Sequence, residues 1–211
     1  MALPLSKDSR WLFIGDSITD AGRGDCPEAI GSGYVRNIRD WLRASVPANA
    51  PQILNKGVSG NTIRDLQGRW QPDVIAQQPQ LVSIKIGIND AWQRLTGEGA
   101  GTSIEKFRAT YADILGRLKA ACREVTIVLC EPSVIWPPAP LPGDEALKPY
   151  VAAVREIGIE FGARAVVPLH AAFNRAGLER PDIPWVPDGV HPSSSGHMLI
   201  ARCWLASLGL L

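Results

Sequence analysis

The chain has almost no net charge, little histidine and none of the cysteine patterns that bind zinc or staple small folds. Its 211 residues include 22 basic and 21 acidic side chains, for a formal net charge of +1. The composition therefore offers no general attraction to nucleic acid or to an anionic membrane, and no basic run supplies one locally. The four cysteines, Cys26, Cys122, Cys130 and Cys203, include no CxxC pair. A chain this long needs no covalent staples, so a disulfide framework or a zinc site is not expected, and Cys122 and Cys130, which flank or end apolar segments, read as small buried hydrophobes. No apolar run approaches the ~18 residues of a membrane span. The N-terminal stretch MALPLSKDSRW lacks a basic segment followed by an apolar one of signal-peptide length, which predicts a cytoplasmic protein.

What the chain does have is an alternation of short apolar runs and longer amphipathic stretches. WLFIG, QILNKG, LVSIKIG, VTIVLCE and RAVVPL read as five strands, the third apolar enough for burial on both faces. Between them lie helical spacings: Val35, Ile38 and Leu42 within 33–45; Ile63, Leu66, Trp70 and Val74; Ile104, Phe107, Tyr111, Leu115 and Leu118; Tyr150, Val154, Ile157 and Phe161. A last helix runs from about Ser194 to Leu208, with serine caps offered by HPSSSG. Strands alternating with helices predict βαβ units, a parallel five-stranded sheet and a three-layer α/β/α sandwich of flavodoxin-like type, one domain over residues 1–211. The biased segment from Pro132 to Gly143, PSVIWPPAPLPG, carries Trp136 and Leu141 and reads as an ordered loop that shapes a pocket.

Open parallel sheets bind ligands outside the carboxyl ends of their strands, and unusual polar residues follow each predicted strand. Ser17 follows the first. Gly60 and Asn61, in GVSGN, follow the second, and Asn89 and Asp90, in GIND, the third. Asp188 and His191, in VPDGVHP, lie between the fifth strand and the last helix. A serine hydroxyl needs a base to become a nucleophile, and histidine is the natural one near neutral pH. Of the three histidines, His170 has no acid at close spacing and His197 lies inside the last helix. His191 alone has a carboxylate three residues before it, so Asp188 can hold one imidazole nitrogen while the other faces Ser17. The Ser17 and Gly60 N–H groups and the Asn89 amide are then the candidate donors to an oxyanion. Taken one at a time, these residues are ordinary turn and cap signals; their joint arrangement points to acyl transfer.

These segments resemble the four signature blocks of the SGNH, or GDSL, hydrolase superfamily of esterases and lipases. FIGDSIT puts that family's nucleophile on Ser17, NKGVSGNT its oxyanion glycine on Gly60, and IGIND its oxyanion asparagine on Asn89. PDGVHPSSSGH puts its acid on Asp188 and its base on His191. Within the superfamily the blocks look like those of bacterial acetylxylan-esterase-like deacetylases. That resemblance implies a Ser-His-Asp esterase without metal or cofactor, acting on a small acyl ester such as an acetylated xylo-oligosaccharide. Thioesterases and lysophospholipases of the superfamily are the rival enzymes. A sugar-, nucleotide- or flavin-binding module is the rival from another class, although GDSITDAGRG is neither GxGxxG nor a P-loop. Asp16 and Asp90, beside proposed catalytic residues, are expected to support them. Trp92 and Trp185 are expected near the site, either as substrate-binding aromatics or as core. Trp41, Trp70 and Trp204 serve either a homo-oligomer contact or the core.

Overall fold

The computed structural model of the protein describes residues 3–99, 101–137, 139 and 142–211. Five strands form one parallel sheet in the order β2-β1-β3-β4-β5: β1 (Arg10–Gly15), β2 (Gln52–Gly57), β3 (Leu81–Lys85), β4 (Thr126–Cys130) and β5 (Ala165–Val167). The central strands are buried through almost their whole length, which explains their largely apolar runs; Ser83 and Lys85 of β3 are the buried polar exceptions. Gly15 lies opposite both Gly57 and Lys85, and Lys85 lies opposite Cys130. The first four strands therefore end level. That level edge brings loops that are far apart in sequence to one place. The chain leaves β1 for the edge strand β2 and returns to β3 on the other side of β1, so the crevice between the ends of β1 and β3 is the natural ligand site.

Eight helices are described: α1 (Ser17–Asp20), α2 (Tyr34–Ser45), α3 (Ile63–Asp73), α4 (Ile88–Thr96), α5 (Ile104–Ala121), α6 (Gly143–Glu160), α7 (Leu169–Glu179) and α8 (Ser194–Ser207). Helix α8 packs on α2 and α7, whereas α3, α5, α6 and α4 pack among themselves, as expected for two helical layers around a sheet. Ser193 caps α8 by accepting the Gly196 N–H, and Ser103 caps α5 by accepting that of Lys106. None of the described helices is long and apolar enough to cross a membrane.

Three helices depart from the sequence expectation. Asn89 and Asp90 do not end a strand in a turn; they open α4, a nine-residue helix that buries only Ile88, Asp90 and Ala91. So short a helix between glycines carries no long apolar stripe to announce it. RAVVPL is a strand only to Val167, because Pro168 has no N–H for the ladder and α7 starts at Leu169. Helix α1 is a single turn. The tryptophans also separate: Trp70 and Trp204 are fully buried core residues and form no subunit contact, while Trp41 is 43% exposed on α2. The Trp204 indole N–H reaches the buried Ser83 hydroxyl at 2.9 Å.

His197 ties α8 to α2. Its Nδ1 accepts the Tyr34 N–H at 3.2 Å, one of the unpaired donors in the first turn of α2. Burial, with the charges of Lys85 and His191 acting the same way, pushes its imidazole from 6.5 down to about 4. Between these values the unfolded chain takes up a proton that the folded chain refuses, so stability is lost as pH falls from 6.5 toward 4. The loss from this one group is on the order of 3 kcal/mol. Urea midpoints of wild type should fall more steeply between pH 7 and about 4.5 than those of His197→Asn; parallel curves would contradict this account.

Candidate active site

The first residue past β1 is Asp16, fully buried, whose Oδ1 accepts the Ile18 N–H at 3.0 Å and caps α1. The cap fixes the turn that carries Ser17, whose side chain stays partly exposed at the sheet edge. Close enough to Asp16 to act on its charge lies Lys85, the last residue of β3 and also fully buried. Burial pushes the Asp16 carboxyl up, against the pull of the Lys85 charge, and pushes the Lys85 ammonium down, against the pull of Asp16. The alternation of LVSIKIG gives no sign that a lysine there points into the protein.

Ser17 Oγ is 2.9 Å from His191 Nε2, and His191 Nδ1 is 2.7 Å from Asp188 Oδ2. The other Asp188 oxygen accepts the backbone N–H groups of Val190, at 2.9 Å, and His191, at 2.7 Å. Partial burial works against the charge of Asp188, but these N–H groups and the imidazole hold its carboxyl below the ordinary range. With Asp188 ionised, Nδ1 carries the imidazole proton and Nε2 is left to accept from the serine hydroxyl. The Asp188 and His191 side chains are 57% and 53% exposed, so the pair is open to solvent.

The Asp188–His191 turn is held from outside. Gly189 has φ +87°, and a Cβ there would stand 2.2 Å from the Trp136 carbonyl. The Trp136 N–H in turn donates to the Gly189 carbonyl at 2.9 Å, and its indole N–H donates to Asn174 on α7 at 3.2 Å. The described part of the proline-rich segment thus braces the turn. Pro138, Pro140 and Leu141 of that segment lie outside the described residues. Trp136 and Pro137 also wall a cavity of about 480 Å³ with Asn174, Trp185 and Pro187. Trp185 is therefore close in sequence to the turn, packed against the core and lining the cavity as well. Trp92 is partly buried on α4, three residues after Asn89.

In the loop after β2, Gly60 is exposed with φ +80°, and a Cβ there would meet nothing within 4 Å. Its glycine is needed for the left-handed backbone and not for want of room. Asn89 Nδ2 donates one hydrogen to the Asn61 carbonyl at 2.9 Å, which leaves its second hydrogen free for a ligand. Asp90, fully buried, accepts the Ile63 N–H and so caps α3, and burial raises its carboxyl to about 6. Asn89 and Asp90 together fasten the start of α4 to the loop that holds Gly60. Asp20, on α1, accepts from the Ser59 hydroxyl at 2.9 Å.

The remaining histidine, His170, is not without an acid: Asp144, at the start of α6, lies 3.1 Å from its Nε2. The partner comes from 26 residues away in sequence, which local spacing could not reveal. This pair joins α7 to the start of α6, away from Ser17 in the hydrogen-bond network. All four cysteines are unbridged; burial raises the Cys130 thiol to about 12 and keeps it protonated.

The sequence and the fold are similar to those of known proteins. The GDSL-like Lipase/Acylhydrolase family matches residues 13–199. An acetylxylan esterase from Geobacillus stearothermophilus is 36% identical over 218 residues, covering 98% of this chain and 97% of that protein. Among solved structures, a catalytic mutant of Axe2, an acetylxylan esterase from the same organism with a serine replaced by alanine, has a TM-score of 0.87 at 35% identity, covering 99% of this chain and 97% of its own. LAE5, an alpha/beta hydrolase enzyme from the metagenome of Lake Arreo, Spain, has a TM-score of 0.88 at 31% identity, covering 100% and 99%.

Proposed function

The chain belongs to the GDSL-like Lipase/Acylhydrolase family and is a carboxylic ester hydrolase of it, and on that footing we propose that it removes acetyl groups from acetylated xylo-oligosaccharides, with Ser17, His191 and Asp188 as its catalytic residues. The observation that carries this reading is the unbroken chain from Asp188 through His191 to Ser17, with contacts of 2.7 and 2.9 Å. The identity to an acetylxylan esterase supports the acetyl group and the sugar.

In this mechanism His191 Nε2 takes the Ser17 proton as Oγ attacks the ester carbonyl. Asp188 holds the imidazole in the tautomer that leaves Nε2 free and then balances the imidazolium charge. The N–H groups of Ser17 and Gly60 and the free amide hydrogen of Asn89 take up the negative charge on the carbonyl oxygen. His191 returns the proton to the departing sugar hydroxyl, and water resolves the acyl-enzyme by the reverse steps. Trp92 and Trp185 are the aromatic residues that would contact the substrate. The openness of the Asp188–His191 pair suits a small acyl group carried on a large sugar, because the leaving group need not be enclosed.

The test is a panel of acyl donors, comprising acetylated xylo-oligosaccharides, p-nitrophenyl acetate and p-nitrophenyl octanoate, run on wild type and Ser17→Ala. Wild type should release acetate from the oligosaccharides and prefer the acetyl to the octanoyl ester. Failure to release acetate from the sugars, or a preference for octanoate, would overturn the substrate assignment. Asn89→Ala should lower kcat on p-nitrophenyl acetate by roughly 10²–10³-fold, the cost of losing one oxyanion donor. An unchanged kcat would remove Asn89 from the oxyanion hole and leave the triad standing.

A further inference from the structure

One side chain outside the four blocks' catalytic positions touches the ends of β1 and β2 and the loop after β2, to which the Asn89 amide is itself bonded. Arg69 projects from α3 with its side chain 17% exposed. Its Nε donates to Asn61 Oδ1 at 2.7 Å and its Nη1 to the Lys56 carbonyl at 2.8 Å. Its Nη2 donates to the Gly15 carbonyl at 3.1 Å, and Nη1 also meets Asp73 Oδ2, one turn along α3, at 2.7 Å. Gly15 is the last residue of β1, two before Ser17. Lys56 lies at the end of β2, and Asn61 directly follows Gly60. The Asn61 carbonyl is also the group that holds the Asn89 amide. The Gly15 carbonyl takes a second hydrogen bond, at 3.1 Å, from the N–H of Val58 in the Gly60 loop.

We propose that Arg69 is a positioning residue for the oxyanion hole, its guanidinium holding the Ser17, Gly60 and Asn89 donors at one fixed spacing. The inference rests on the oxyanion hole described under the proposed function. Its physical basis is the planar fork of arginine, whose N–H groups lie in fixed directions and reach three separate segments at once; the single ammonium of lysine cannot do so. Asp73 anchors the fork from its own helix, so the guanidinium is oriented before a substrate arrives. Preorganised donors stabilise a transition state without reorganising as charge develops. Arg69 makes no contact with the ester itself; it acts through Gly15, Lys56 and Asn61.

The experiment compares wild type, Arg69→Ala, Arg69→Lys and Ser17→Ala on p-nitrophenyl acetate, with active sites counted by a fluorophosphonate that labels the reactive serine. Arg69→Ala should lose roughly 10–100-fold in kcat per active site, somewhat less than deletion of a donor itself, with KM nearly unchanged. Its affinity for methylboronic acid, a mimic of the tetrahedral adduct, should fall by a similar factor, while inhibition by acetate stays the same. Millimolar guanidinium ion should restore part of the kcat of Arg69→Ala, and Arg69→Lys should remain impaired. If Arg69→Ala does not fold, Arg69→Lys carries the same comparison. Wild-type kcat per active site in a folded Arg69 variant, with Ser17→Ala inactive, overturns this inference alone. Full activity in Ser17→Ala overturns the proposed catalytic site and the positioning role with it.

Discussion

Ser17→Ala should lose on the order of 10³-fold or more in kcat on p-nitrophenyl acetate, after subtraction of buffer hydrolysis, with its fold unchanged. The methyl group keeps the Cβ and removes only the oxygen that faces His191 Nε2 at 2.9 Å. Nothing about the local backbone should respond, because α1 is capped by Asp16 and not by the serine hydroxyl. The variant keeps the Gly60 and Asn89 donors and the Asp188–His191 pair, so weak hydrolysis by water is expected to remain. A variant that is folded by circular dichroism yet turns over at the wild-type rate would sink the assignment of Ser17.

His191→Ala should be comparably damaged, by about 10³-fold or more, and for a related reason. The serine hydroxyl has His191 as its hydrogen-bonded base, and Asp188 reaches Ser17 only through that imidazole. Removing the imidazole leaves an un-ionised hydroxyl and an aspartate with nothing to orient. The informative measurement is the double variant. If the residues act as a unit, Ser17→Ala/His191→Ala should be no slower than Ser17→Ala, because the second change removes a partner already idle. Rate losses that multiply would mean that His191 works independently of Ser17, contrary to the proposed mechanism.

The strands and most long helices were legible because burial writes a period into the sequence. A strand covered on both faces must be apolar throughout, as in β1, and a helix covered on one face must repeat every three to four residues, as in α5. Helices α4 and α7 were not legible, because each buries only a few residues and begins directly after a strand end. The candidate site was legible to the extent that its residues differ from their surroundings: a serine after an apolar run, or an aspartate three residues before a histidine. Its supports left no such trace. Arg69 sits among ordinary polar residues of α3, Lys85 looks like a single charge in a strand, and Asp144 is remote from His170 along the chain.

By itself the sequence determined the alternation of strand and helix, and with it a parallel sheet whose loops must gather at one edge. It also determined which residue types that edge would carry. Only the tertiary structure decided which of them meet. The level ends of β1 to β4, set by register, bring the segments that carry Ser17, Gly60 and Asn89 to one edge of the sheet. The turn at Gly189, braced by Trp136, swings His191 back across 174 residues to within 2.9 Å of Ser17. Hydrogen bonds between such distant segments depend on distance and angle in space, and a linear pattern encodes neither.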